Sequence, residues 1–250
     1  MARYALEFAK TGYMIYTSHL DMMRLFKRAF KRAGLPLSYS QGFNPHPRMS
    51  FAQPLSLGYE AEHEYLEFHF DEETDCGSAA EALRRSVPEG LEIISVIKLP
   101  DEGKTMASAV EAALYEIVFP VRENDSEAFG KALEAYLAKE EIVTLKREKK
   151  SKQFKPVDIK PMIRSLTVSG AASGGMAAEA LVDQGSASNL SPDLIVDSLV
   201  PVLAEYGISV DRYEVAIKRK YLVFPLVFPK SRVYTLTEGS GAPRRNSERG

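Results

Sequence analysis

The chain has 250 residues, 45% of them hydrophobic and 26% charged, with a formal net charge of −2. That composition suits one large folded domain or two ordinary ones and excludes disorder throughout. A single cysteine, Cys76, excludes an intrachain disulfide, a cysteine-only metal site and a cysteine-ligated iron–sulfur cluster within this chain. No apolar run approaches the roughly 18 to 20 residues that cross a bilayer, and the start, MARYALEFAK, has no apolar signal segment. A cytoplasmic protein is therefore expected.

In chain order, RYALEFAK alternates as a strand, residues 18–33 have helical spacing, and 49–57 and 62–70 read as strands. A helix over 77–86 and a strand over 91–98 complete a βαββαβ unit. A linker-like stretch, PDEGKTMAS, follows, and the order then repeats. The second unit has a strand at 114–121, a helix at 125–138, strands at 141–147, 163–169 and 176–183, a helix at 191–206 and a strand at 208–217. Residues 141–169 count as one long strand broken by a basic loop. The expected fold is α+β, two tandem ferredoxin-like domains with antiparallel sheets. The expected boundaries are 1–100 for the first domain, 101–112 for the linker, 113–235 for the second domain and 236–250 for a disordered tail. The glycines of SGAASGG, residues 169–175, suit the hairpin turn of the second unit.

Charge is segregated along the chain. From Met22 to Tyr59 there is no acid, while Arg24, Lys27, Arg28, Lys31, Arg32 and Arg48 supply six cations. Residues 60–92 then hold eleven acids against Arg84 and Arg85, and residues 146–164 hold eight cations and two acids. Such blocks report a polarised surface.

In the first helix Ser18 is placed to cap Asp21, and Gly34 ends the helix. Met22, Met23, Phe26, Ala29, Phe30 and Ala33 form its apolar stripe, with Arg24, Lys27, Arg28, Lys31 and Arg32 opposite. That basic face has no i,i+4 acid to balance it. In the GFNPHPR loop two X-Pro bonds bias Asn44 and His46 toward extended backbone, and Gly42 permits a turn. Asn44, His46 and Arg48 offer an amide, an imidazole and a guanidinium, and Tyr39 and Phe43 offer rings for stacking, a set suited to phosphate and base edges. Lys149, Lys150, Lys152 and Lys155 form a further basic group. The four histidines make no HxH or HExxH pair, so no metal site is expected.

The stretch from Tyr16 to Phe68, YTSHLDMMRLFKRAFKRAGLPLSYSQGFNPHPRMSFAQPLSLGYEAEHEYLEF, resembles the radical-SAM-linked proteins. These form a family of unknown function encoded beside, or fused to, a cobalamin-binding-type radical SAM protein. KPVDIKPMI, residues 155–163, carries the likeness more weakly. The resemblance implies a radical SAM partner that holds the iron–sulfur cluster and S-adenosylmethionine, with no cofactor in this chain.

A more distant likeness is to the CRISPR repeat-associated RNA-binding proteins, whose tandem ferredoxin-like domains include endoribonucleases. There a histidine near the first helix acts as a base on a ribose hydroxyl. His19 is the matching residue, with Lys27 or Arg48 as phosphate stabilisers. The chain departs from that pattern in having VFPKSRVYTLTEGSG where a glycine-rich motif follows the last strand.

Three functions follow as expectations. The first is a non-catalytic RNA-binding accessory protein of a radical SAM enzyme. The second is a metal-independent endoribonuclease using His19 or His46. The third is a protein-docking partner without RNA.

Overall fold

A computed structural model describes residues 1–148 and 151–224, with the backbone of 234–235. In chain order the main elements are β1 (Ala2–Lys10), α1 (His19–Arg32), β2 (Met49–Phe51), β3 (Glu60–Phe70), α2 (Cys76–Arg84), β4 (Leu91–Lys98), α3 (Met106–Ala109), β5 (Ala112–Phe119), α4 (Ser126–Ala138), β6 (Val143–Arg147), β7 (Phe154–Asp158), β8 (Ile163–Ala172), β9 (Gly175–Asp183), α5 (Pro192–Glu205) and β10 (Ala216–Phe224). The fold is mixed α and β with mostly antiparallel sheet. The described chain divides into two compact units, Met1–Glu111 with residues 219–224, and Ala112–Lys218.

In the first unit β1 lies between β4 and β3 and the short β2 pairs with part of β3, each of these pairs antiparallel. Leu6 faces Leu66 of β3 on one side and Val96 of β4 on the other. Helices α1 and α2 contribute Met22, Phe26, Phe30 and Leu83 to a core with Tyr4, Leu6, Phe8, Leu66, Phe68 and Phe70. Aromatic rings dominate it: Phe30 lies 4.8 Å from Phe68, and Phe8 lies 5.0 Å from Phe26 in an edge-to-face pair, arrangements that add to simple area burial.

Strand β1 is buried along nearly its whole length, so its charged residues are paired inside the protein. Arg3 donates from Nε to Glu67 at 2.7 Å, and from a terminal nitrogen to the Lys104 carbonyl at 2.7 Å. The second Glu67 oxygen accepts the Met106 amide at 2.7 Å. These bonds anchor residues 104–106 and seat α3, whose Met106 is fully buried, within the stretch read from sequence as a linker. Glu7 lies 2.8 Å from His63 Nδ1 and accepts hydroxyl bonds from Ser95 at 2.9 Å and Tyr65 at 3.3 Å. Burial acts to raise its pKa, but the bonds from His63, Ser95 and Tyr65 outweigh it and hold the carboxyl below its ordinary range.

In the second unit β9 lies between β5 and β8, antiparallel to both. Ile117, Phe119, Phe129, Tyr136, Leu199 and Leu203 are buried there. The expected hairpin at SGAASGG joins β8 to β9, with Ala172 opposite Gly175. A Cβ on Gly175, at φ +149, would lie 1.9 Å from the Phe119 carbonyl oxygen, so only glycine fits this turn.

Three expected strands differ. Residues 141–169 are not one long strand: β6 and β7 pair in a separate two-stranded sheet before β8 begins. The Asp158 carboxylate accepts the Ile142 and Lys160 amides at 2.9 and 3.0 Å, closing the base of this hairpin, and the Lys160–Met162 turn redirects the chain. The last strand runs over Ala216–Phe224 rather than 208–217, because Asp211 accepts the Tyr213 amide and holds Arg212–Glu214 in a helical turn. The strand expected over 49–57 stops at Phe51, shortly before Pro54, whose ring cannot donate to a ladder. The expected tail at 236–250 lies outside the described residues.

Candidate functional site

Helix α1 forms as its sequence dictates. The Ser18 hydroxyl accepts the Asp21 amide at 3.2 Å and donates to the Asp21 carboxylate at 2.7 Å, so the return bond reaches the hydroxyl rather than the backbone. At the other end the Leu35 amide reaches back to the Phe30 carbonyl at 3.0 Å past Gly34 at φ +69. Met22, Phe26, Ala29 and Phe30 are buried, while Met23 and Ala33 are half-buried.

The five cations opposite are all exposed, but they are not all uncompensated. Arg24 pairs with Asp21 at 2.9 Å, and Arg32 donates to the Ser86 carbonyl. The Ser18 hydroxyl and Arg24 together lower the pKa of Asp21. Lys27, Arg28 and Lys31 make no ion pair among the described residues, and they form the free basic patch.

The loop after α1 is pinned at its base. The Ser38 amide donates to the His69 carbonyl at 2.8 Å, Arg48 to Ser38 at 2.8 Å and Ser40 to His46 at 2.8 Å, and Tyr39 and Pro47 form an antiparallel bridge. The His46 amide returns a 3.0 Å bond to the Ser40 hydroxyl, and the Ser38 hydroxyl donates to Asp71 at 2.7 Å. Beyond this clamp Phe43 stands wholly in solvent, and Asn44, His46 and Arg48 are exposed. The Lys27 ammonium lies 5.7 Å from the centre of the Tyr39 ring, a cation–π contact that ties helix to loop. The structure thus brings Lys27, Tyr39 and the loop tip together on the first unit.

The other basic group belongs to the second unit. Lys152 and Lys155 are exposed on the β6–β7 hairpin, and Lys155 pairs with Glu148 at 2.6 Å. Exposed Leu145 and Phe154 share that hairpin. Lys149 and Lys150 lie outside the described residues, as does most of the VFPKSRVYTLTEGSG stretch.

His19 opens α1, is exposed, and sets its ring edge-on to Phe51 with centroids 5.3 Å apart. Neither His19 nor His46 has a carboxylate in ion-pair reach among the described residues, and no group of three or more potential metal-binding side chains occurs among them.

Sequence reasoning missed the ionic cluster at the edge of this unit. Lys10, Glu64 and Arg219 are each at most 3% exposed. Arg219 grips both Glu64 oxygens, through Nε at 2.6 Å and through a terminal nitrogen, and donates to the Gln53 carbonyl at 2.8 Å. Lys10 donates to the carbonyls of Ile15 and Thr17 at 3.4 and 3.3 Å. Burial lowers the Lys10 pKa; Glu64 opposes that shift and Arg219 adds to it. The signal was in the sequence: charged residues inside strands that otherwise alternate into a core, in RYALEFAK, EAEHEYLEF and AIKRKYLVF.

Among the described residues no helix is long and apolar enough to cross a membrane. The family model described as "Uncharacterized protein conserved in bacteria (DUF2344)" matches residues 3–192. No curated protein matches the chain.

Proposed function

The chain belongs to the DUF2344 family of proteins conserved in bacteria, and from that premise we propose that it is a non-catalytic RNA-binding accessory protein serving a radical SAM enzyme. The observation that carries the RNA reading is the patch formed by Lys27, Arg28 and Lys31 beside a clamped loop whose Phe43 side chain is fully exposed. Three cations on one helix repel each other and gain when phosphates neutralise them. A ring held in solvent on a stiff loop contributes stacking area at little ordering cost. Arg48 and Asn44 add a guanidinium for phosphate and an amide for a base edge.

The radical SAM partner rests on the resemblance of residues 16–68. In that arrangement the partner supplies the iron–sulfur cluster and S-adenosylmethionine, and this chain supplies the grip on the RNA. The ferredoxin-like reading is part of the same proposal. In the first unit β1 between β4 and β3, with β2 paired to β3 and two helices, supports it, and the β5-β9-β8 order supports it in the second, with β6 and β7 as an inserted hairpin.

The test is a salt titration of RNA affinity. Lys27→Glu with Arg28→Glu and Lys31→Glu should weaken binding and reduce the slope of log affinity against log salt by about 2 to 3, roughly 0.7 to 0.9 for each phosphate that the protein no longer neutralises. Equal affinity and slope in the two proteins would place RNA elsewhere or nowhere on this surface.

A further inference from the structure

The β6–β7 hairpin of the second unit leaves an apolar face uncovered. Its register sets Leu145 opposite Pro156 and Arg147 opposite Phe154. Residues directly opposite share a face, and alternation along β6 adds Val143, so Val143, Leu145, Phe154 and Pro156 lie on one side. Val143, Leu145 and Phe154 are 54 to 64% exposed, and Pro156 is exposed as well. Apolar side chains scattered singly over a surface are ordinary, but a contiguous group rimmed by charge marks a contact site. A two-stranded hairpin is also marginally stable in water until something covers it.

Between this face and α5 runs an open trough of about 600 Å³. Pro201 and Val202 form its α5 wall, with Asp197, Ser198 and Glu205 as polar neighbours and Lys139 at the end of α4. Asp197 is paired with Arg212 at 3.0 Å, while Glu205 and Lys139 make no ion pair among the described residues. The trough has room for several side chains from another chain.

Charge decides what enters. At the hairpin tip Lys146, Arg147 and Lys152 are exposed and make no ion pair among the described residues, and Lys155 is held by Glu148 at 2.6 Å. At the base, just before Ile142, Glu140 and Glu141 are exposed and likewise make no ion pair. The five residues of β6 separate these ends by about 17 Å, more than a Debye length at physiological salt, so each end acts as a charge of its own. An apolar face with opposite charge at its two ends is its own complement under a two-fold rotation, which lays two hairpins antiparallel with tip against base. A partner of a single charge would match one end and be opposed at the other. Contact through the strand edges is disfavoured, because Pro156 has no N–H to offer a further strand beside β7, and Lys146 and Arg147 put charge on β6. The faces remain.

We propose that a second copy of this chain docks on this face. Each hairpin covers the other's apolar side, Leu145 and Phe154 enter the trough of the other copy, and Lys146 and Arg147 of each copy meet Glu140 and Glu141 of the other. The inference is independent of the RNA reading, which rests on the first unit.

The test is sedimentation equilibrium of the full chain over a concentration series. The native protein should show a monomer–dimer equilibrium. Leu145→Thr with Phe154→Thr, which keeps strand propensity, should raise the dissociation constant at least about ten-fold and leave the melting transition in place, since both side chains are exposed. Lys146→Glu with Arg147→Glu should weaken the dimer, as should Glu140→Lys with Glu141→Lys, and the chain carrying all four changes should regain most of the lost affinity. That recovery is not expected if these residues only hold the hairpin together, and it decides the matter if the threonine variant loses the native melting transition. A native protein that stays monomeric at its highest soluble concentration would overturn the second copy as occupant and leave the trough to a partner of other sequence. A dimer indifferent to Leu145 and Phe154, or one that the combined charge exchange fails to restore, would overturn the proposal by placing the contact on another surface.

Discussion

Replacing Glu64 by glutamine keeps the shape of the side chain and removes its charge from a site where Arg219 is wholly buried and Lys10 nearly so. The Arg219 guanidinium, now bonded to both Glu64 oxygens, would face a neutral amide whose NH₂ group repels it. Removing one member of a buried ion pair costs about 3 to 5 kcal/mol, which for a chain of this size lowers the melting temperature by at least about 6 °C. The assay is urea and thermal unfolding of Glu64→Gln beside the native protein. The double variant Glu64→Leu with Arg219→Met should recover most of the loss, because an apolar pair of similar volume removes both desolvation costs.

Lys10 adds a pH signature. Its pKa in the folded protein is lowered by burial while Glu64 resists the shift, so removing Glu64 lowers it further. Between the folded and unfolded values the unfolded chain binds more protons, so stability rises with pH through that window and is lower below it. The rise should span a wider range in Glu64→Gln than in the native protein. A loss below about 1 kcal/mol with an unchanged pH slope would refute the account of this cluster.

Phe43→Ala should leave the melting temperature within about 1 °C, since the ring is fully exposed, and weaken RNA binding by about 1 to 3 kcal/mol; titration of both proteins against one RNA checks it. Gly175→Ala should destabilise the second unit by more than about 2 kcal/mol, because the turn is left-handed and the new Cβ meets the Phe119 carbonyl, and the loss should appear in urea unfolding. Burial pushes the Tyr136 pKa up to about 12, with the hydrogen bond to Ser198 pulling the other way. The folded protein therefore holds that proton after the unfolded chain has lost it, so stability should fall as pH rises from the ordinary tyrosine value toward about 12. Tyr136→Phe should flatten that fall in denaturation series taken across the range.

Much of the first unit was legible because local signals agree there. Ser18 and Gly34 bound α1 within a residue of the expected ends, its apolar stripe lies in the core, and the prolines around His46 mark a loop that proves to be clamped. Where the reading failed, the cause was a side chain reaching to the backbone. Asp158 folds the basic stretch back as a hairpin, and Asp211 delays the last strand by several residues. The residue pattern also marks the cations of α1 but not their partners: Arg24 and Arg32 are engaged by Asp21 and by the Ser86 carbonyl, the latter 54 residues away in the chain. The ionic cluster was hidden for the same reason, since Lys10, Glu64 and Arg219 come from three strands and only their unusual place inside apolar runs marks them.

The measurement that tests the central claim most directly is ultraviolet crosslinking of tagged protein to RNA in cells. Native protein is compared with the variant carrying Lys27→Glu, Arg28→Glu and Lys31→Glu. The account predicts a defined set of RNAs enriched on the native protein and absent from the variant, with crosslinks mapping to residues 24–48. RNA at background in both, from proteins that are folded and equally abundant, would contradict it.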